Sequence, residues 1–292
     1  MTLCYDGNVN LPLASGDNFF GSEVLAPNAG WIMSSELRFR KIWAGAILVL
    51  LALSYRLWIA SSGWAGESGI LTVPFPRVPM VSLSATAAFY LDALSLVALV
   101  TALATVVLRS DSAMSWRPML AIAIALSVLF VSNQHRLQPW AYQGWLYAVL
   151  FAGATPRAAR RYIIVLTISI YAFSAMGKFD QQFLKTVGPG LVNTLIRFTG
   201  MATDEAHHER LRWLIESSSV LLPIAELTIA GLLVFEKTRR IGGFFAIVMH
   251  LSLLVILGPI GLGHSAAVLA WNLFLAVQAW LLFVRRDEPE FV

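Results

Sequence analysis

The sequence has very little cysteine and little charge. Among its 292 residues the only cysteine is Cys4, which excludes an intramolecular disulfide, a CxxC redox motif and a cysteine-rich zinc site. Charged residues make up 13% of the chain, against the ~25% that is usual in a soluble domain. A chain with so little charge cannot cover itself with polar surface, so we expect part of it to face lipid.

Long apolar runs fill most of the chain, which is 58% hydrophobic and has a mean hydropathy of +0.70. They predict an all-α integral membrane protein, a bundle of about eight transmembrane helices. The shortest run is 141–155, and seven spans would follow if it formed one bent unit with its predecessor. The eight runs are 42–60, 86–108, 118–133, 141–155, 162–178, 213–235, 241–259 and 266–284.

Basic residues lie in short clusters between these runs. With eight spans, all of the clusters fall on one side, which the positive-inside rule makes cytoplasmic, together with both termini. This distribution accounts for the sequence pI of about 9.4 without nucleic-acid binding, which we do not expect. The clusters are Arg38, Arg40 and Lys41; Arg109 and Arg117; Arg157, Arg160 and Arg161; Lys237, Arg239 and Arg240; and Arg285 and Arg286.

Three segments divide the chain. Residues 1–36 are rich in Gly, Asn, Ser and Asp and are predicted to form a disordered N-terminal extension. Met33 stands near its end, and we hypothesise that it is the true start. Residues 37–286 form the predicted polytopic membrane domain, and 287–292 a short tail. The sequence has neither a signal peptide pattern nor the repeated halves of many transporters.

Ionisable residues inside the apolar runs are the best functional pointers, because each costs about 2.5–3.5 kcal/mol near the bilayer centre. On the predicted topology most of them share the outer half of the bundle. Structural roles remain open: Arg56 and Asp92 could form an ion pair, and Lys178 could reach the interface. The intramembrane ionisable residues are Arg56, Asp92, Lys178, Glu226 and His250.

Further polar residues lie at the predicted outer rim. One short connection, Gln134–Trp140, contains several hydrogen-bonding groups and an aromatic ring, and is a candidate binding loop. Small residues before Lys178 allow close helix approach, which would bury this amine and disfavour its charged form. A neutral lysine can act as a general base. No metal site is expected. The rim residues are Gln134, His135, Arg136, Gln138, Trp140, Asp180 and His264.

Several stretches resemble the membrane domain shared by vitamin K-dependent gamma-glutamyl carboxylases and the bacterial HTTM proteins. Tyr171–Asp180 resembles the family's helix that ends in small residues, a lysine, an apolar residue and Asp. Trp140–Tyr147 is similar to its aromatic and Leu-Tyr run, in which a histidine stands where this chain has Gln143. Val73–Pro79 and His250 are similar to a proline-rich stretch and a later histidine. DoxX-like and MauE-like membrane proteins share a related layout.

The resemblance implies an enzyme that acts at the outer face on a quinol or another lipid-soluble substrate. Lys178 would be the base and Asp180 would position or tune it. The loop Gln134–Trp140, together with Gln143, His250 and His264, would bind the substrate. A reduced quinone of the vitamin K type is the implied cofactor, and the membrane is a bacterial plasma membrane.

A second interpretation follows from the end of the chain, because the long lumenal region that binds the protein substrate in true carboxylases has no counterpart after 266–284. A partner protein would have to supply a substrate-binding domain. The alternative is a non-catalytic subunit or maturation factor of a membrane redox system, as in DoxX-like or MauE-like proteins.

Overall fold

The computed structural model describes residues 28–59, 85–109, 116–198, 213 and 215–285. In this part of the chain every regular element is helical, which confirms the predicted all-α class. The helices are α1 (Asn28–Leu53), α2 (Tyr55–Ile59), α3 (Ala85–Leu108), α4 (Trp116–Ser132), α5 (Pro139–Gly153), α6 (Pro156–Gly177), α7 (Gly188–Phe198), α8 (Leu221–Val234), α9 (Glu236–Leu257) and α10 (Ala266–Ala279).

Shorter helical turns complete the set. A 3-10 turn, Gln134–Arg136, joins α4 to α5. Two π-helical turns follow later in the chain: Phe183–Val187 leads into α7, and Trp280–Val284 extends α10.

Five helical segments of the described chain are long and apolar enough to cross a membrane. The segment Trp116–Ser132 is apolar but shorter. The composition of these helices agrees with the predicted integral membrane protein. The five segments are Phe89–Leu108, Pro156–Gly177, Ile215–Val234, Glu236–Leu257 and Ala266–Val284.

Helix α1 lies at the centre of the bundle, where it contacts α3, α5, α6 and α10. The other long helices pack in chain order around it: α3 on α4, α4 on α5, α6 on α8, α8 on α9 and α9 on α10. Trp43 of α1 is 1% exposed and packs edge-on against Phe151 of α5, with ring centroids 5.6 Å apart. The core therefore forms around α1, and the contacts among α6, α8, α9 and α10 surround the polar residues described below.

The first helix begins within the predicted N-terminal extension, since α1 starts at Asn28 and residues 28–36 are helical. Once a helix is nucleated, each added residue gains a hydrogen bond, which allows α1 to extend beyond its apolar run. Residues 1–27 and 286–292 lie outside the described residues, as do the proline-rich stretch Val73–Pro79 and the segment 199–212.

Candidate functional site

A lysine and a glutamate form an ion pair between α6 and α8. Lys178 directly follows α6, and its Nζ pairs with Glu226 Oε1 and donates to Ser174 Oγ at 3.0 Å. The side chains of Lys178 and Glu226 are 27% and 11% exposed. Pairing offsets part of the cost of placing these charges in an apolar bundle. The intramembrane glutamate and the lysine, which the sequence singled out separately, are thus one unit.

The second oxygen of this carboxylate is unsatisfied. Glu226 Oε2 is buried and has no hydrogen-bond partner among the described residues. A buried acceptor without a donor is costly and therefore rare in proteins. This oxygen is the feature of the site that most needs a physical explanation.

Asp180 does not contact Lys178 in the way the resemblance implied. Its side chain is exposed, and Oδ1 accepts a hydrogen bond from the backbone N–H of Phe183 at 2.6 Å. This contact satisfies a free donor at the start of the helical turn Phe183–Val187. The carboxylate beside the lysine is that of Glu226.

A tyrosine, a histidine and an asparagine form a buried chain across three helices. The hydroxyl of Tyr171 in α6 lies 2.8 Å from His250 Nε2 in α9, and His250 Nδ1 lies 3.0 Å from Asn272 Oδ1 in α10. Asn272 Nδ2 donates to the Val268 carbonyl at 2.9 Å, which leaves Oδ1 as the acceptor. His250 Nδ1 therefore donates to Asn272, and Nε2 and the Tyr171 hydroxyl share the other hydrogen bond.

The ion pair and this chain form one polar cluster, which we call the α6 cluster: Tyr171, Lys178, Glu226, His250 and Asn272. Tyr171 and Lys178 are seven residues apart and lie on one face of α6. Four helices thus contribute to one cluster an ion pair and a buried hydrogen-bonded histidine.

Gln143, which was predicted to bind substrate, lies in a second buried network. Its Nε2 donates to Tyr147 at 2.9 Å and to Gln278 Oε1 at 3.1 Å. Gln278 donates in turn to Thr167 of α6 at 2.8 Å, and Trp271 Nε1 donates to Gln143 Oε1 at 3.3 Å. These groups satisfy one another, so the network ties α5, α6 and α10 together.

Arg136 is the partner of Asp92, whereas the sequence had left open a pair between Asp92 and Arg56. The Arg136 side chain is fully buried, and its two terminal nitrogens donate to the two carboxylate oxygens of Asp92 at 2.8 and 2.7 Å. It also donates to the carbonyl oxygens of Leu57 and Trp58 at 3.3 and 3.2 Å. Arg56 is exposed and contacts its neighbour Tyr55.

Other residues of the predicted binding loop, Gln134–Trp140, form contacts within the loop or against α2. Gln134 is exposed, and Gln138 Nε2 donates to the His135 carbonyl at 2.8 Å. Trp140 is buried, with its ring centroid 5.6 Å from that of Trp58. The loop therefore contacts α2 and α3, whereas the α6 cluster is built from α6, α8, α9 and α10.

His264 is also separate from the cluster. It is exposed between α9 and α10, and its backbone N–H donates to the Leu257 carbonyl at 2.8 Å. His250 lies within α9, two turns before its C-terminal end, and is 4% exposed. The two histidines therefore do not line one site, because His250 is buried inside the bundle and His264 lies in the exposed connection after the end of α9.

Sequence reasoning did not single out Thr167 or Gln278, and it named Tyr147 only as the end of the aromatic and Leu-Tyr run. Gln278 had a recognisable signal, since it is an amide within the apolar run 266–284. Thr167 had none, because threonine is common in apolar helices. In the described part of the chain no group of three or more His, Cys, Asp or Glu side chains is placed to hold a metal ion.

Comparison with protein-family models finds no match to this chain. Neither the curated proteins nor the solved structures yield a significant match. The resemblance to HTTM and carboxylase membrane domains therefore stays a prediction that depends on the short motifs of the sequence.

Proposed function

We propose that this chain is an HTTM-type membrane enzyme that removes a proton from a quinol or a similar lipid-soluble substrate within the α6 cluster. The observation that carries the proposal is the Lys178–Glu226 pair, with its unsatisfied oxygen, among long apolar helices. A substrate that dissolves in lipid can approach such a site laterally. The motif resemblance around Lys178 supports the same assignment.

The ion pair supplies the chemistry of the proposed step. Lys178 can accept a proton only after its own has moved to Glu226, which lies in direct hydrogen-bond contact. The substrate hydroxyl then loses its proton to the pair, whose net charge rises from zero to +1. The positive pair stabilises the substrate oxyanion, and in a low-dielectric site this attraction is stronger than in water.

The neighbouring residues would keep this step ordered. His250, held by Asn272, fixes the Tyr171 hydroxyl on the face of α6 that also carries Lys178. Asp180 positions the chain after Lys178 by capping the next helical turn. Gln143 stabilises the helix packing behind the cluster through its amide network.

The membrane arrangement is part of the proposal. We propose eight spans with both termini on the cytoplasmic side of a bacterial plasma membrane. The distribution of basic clusters supports this count. A reduced quinone of the vitamin K type would be the substrate or cofactor, and a protein partner would supply any domain that binds a peptide substrate.

The test is turnover by detergent-purified protein supplied with menaquinol or reduced vitamin K, oxygen and bicarbonate. Quinol oxidation and epoxide formation are followed for the wild type and for Lys178→Ala. Because general acid–base groups contribute about 10²–10⁴-fold, we expect turnover to fall at least about 100-fold in the variant.

Lys185→Ala is the matched control, since Lys185 is exposed on the next helical turn. It should retain wild-type turnover. Equal rates for wild type and Lys178→Ala would contradict the proposed base. A wild type that turns over neither quinol would favour the alternative, a non-catalytic subunit or maturation factor that copurifies with a redox partner.

A further inference from the structure

The α6 cluster offers one free donor and one free acceptor. An ammonium group has three hydrogens, and Lys178 uses two of them, toward Ser174 and Glu226. The amine also lies 6.0 Å from the centre of the Phe183 ring, a distant aromatic contact that leaves the third hydrogen open to an oxygen acceptor. Glu226 Oε2 has no donor among the described residues. Both ends of the ion pair therefore retain one unused hydrogen-bonding position.

These two positions are close together. Oε1 and Oε2 of Glu226 are attached to the same carbon atom, and Lys178 Nζ donates a hydrogen bond to Oε1. The free hydrogen of the amine and the free lone pairs of Oε2 therefore lie within reach of a single ligand atom. A hydroxyl oxygen both accepts and donates, so it can satisfy the two positions at once.

The ion pair has no net charge and therefore does not favour a charged ligand group. A carboxylate is attracted by Lys178 but repelled by Glu226, and the reverse holds for an ammonium, so neither recovers the cost of leaving water. An ether or a ketone accepts a hydrogen bond from Lys178 but leaves Oε2 unsatisfied. An uncharged hydroxyl is the simplest group that leaves neither position empty.

A ligand can reach this point by way of Lys178. Oε2 itself is buried, whereas more than a quarter of the Lys178 side chain is exposed. Lysine has a long and flexible side chain, and Ser174 beside it is small. Rotation of the amine away from Ser174, with Glu226 held in α8, would admit a hydroxyl to the carboxylate.

We propose that Glu226 is the specificity-determining residue of this site, and that it selects lipid-soluble ligands that present an uncharged hydroxyl group to it. The hydroxyl donates to Glu226 Oε2 and accepts from Lys178 Nζ. This inference deepens the proposed function and uses the same site. It concerns binding alone and requires no turnover.

The experiment measures calorimetric binding of three probes to wild-type protein in lipid nanodiscs. The probes are a dodecyl-substituted 1-naphthol, its methyl ether, and the dodecyl-substituted naphthoate. A hydrogen bond to a charged group corresponds to about tenfold or more in affinity. We therefore expect the naphthol to bind at least about tenfold more tightly than either other probe.

Glu226→Gln keeps the size of the side chain but removes its charge. The preference for naphthol over ether should fall below about threefold in this variant. Glu236→Gln, an exposed position in the first turn of α9, should keep the wild-type preference. Equal affinities for naphthol and ether in the wild type would overturn the inference, even if Glu226→Gln does not fold. Tighter binding of the naphthoate would overturn it as well.

The two proposals can fail independently. A naphthol preference without quinol turnover would remove the proposed reaction and leave the hydroxyl selectivity intact. Lys178-dependent turnover without a naphthol preference would leave the proposed reaction intact and remove the hydroxyl selectivity, since catalysis would then proceed without a hydrogen bond to Glu226 Oε2.

Discussion

Asp92 shows how a single buried charge depends on its partner. Arg136 meets both of its carboxylate oxygens and also binds the end of α2. We expect Arg136→Gln to lower the free energy of unfolding by about 3–5 kcal/mol, because it leaves a carboxylate uncompensated in the bundle. Equilibrium unfolding of detergent-solubilised protein measures this change.

Arg56→Gln is the control for this prediction, because Arg56 was a candidate partner of Asp92 in the sequence and is exposed in the structure. It should leave stability unchanged. In a double-mutant cycle with Asp92→Asn, Arg136→Gln should show coupling and Arg56→Gln should show none. Coupling to Arg56 in place of Arg136 would contradict the structure.

Gly243 in α9 lies against Trp280–Val284, the π-helical extension of α10, and allows these two elements to pack closely. A Cβ atom at this position would lie 2.6 Å from Phe283 Cβ and 3.1 Å from Val284 Cγ2. Since Phe283 is itself buried, the helices would have to separate. We expect Gly243→Ala to cost about 1–3 kcal/mol in the same unfolding measurement.

Gly231 in α8 provides the comparison. Nothing lies within 4 Å of a Cβ built there, so Gly231→Ala should leave stability unchanged or raise it slightly. If the two alanine variants were equally stable, the close packing of α9 against Trp280–Val284 would be wrong.

The whole molecule is predicted to cross the membrane eight times. In a Cys4→Ser background, single cysteines at Gln134 and His264 should react with a membrane-impermeant thiol reagent added outside intact cells. Cysteines at Gly153 and Glu236 should react only after the cells are opened, because the neighbouring basic clusters are expected to be cytoplasmic. All four positions are exposed in the structure.

This labelling also distinguishes the two span counts. If α4 and α5 crossed the membrane only once as one bent unit, Gly153 and Glu236 would both label from outside, and His264 would label only after the cells are opened. Labelling of Gln134 and Gly153 together from outside would contradict eight spans and support seven.

The sequence by itself determined the helical class, the approximate positions of the helices and several of the residues in the α6 cluster. Apolar runs are local, and the cost of a charge in lipid is visible at a single position, so Lys178, Glu226 and His250 could be found without a structure. The residues around Lys178 could also be compared with a family motif, because Tyr171–Asp180 is one continuous stretch.

Only the tertiary structure decided which of these residues meet. Lys178 pairs with Glu226, 48 positions away, and not with the nearby Asp180; Asp92 pairs with Arg136 and not with Arg56. Such pairings depend on which helices are neighbours and how each is rotated about its axis. That information is shared among distant helices, and no local pattern in the sequence contains it.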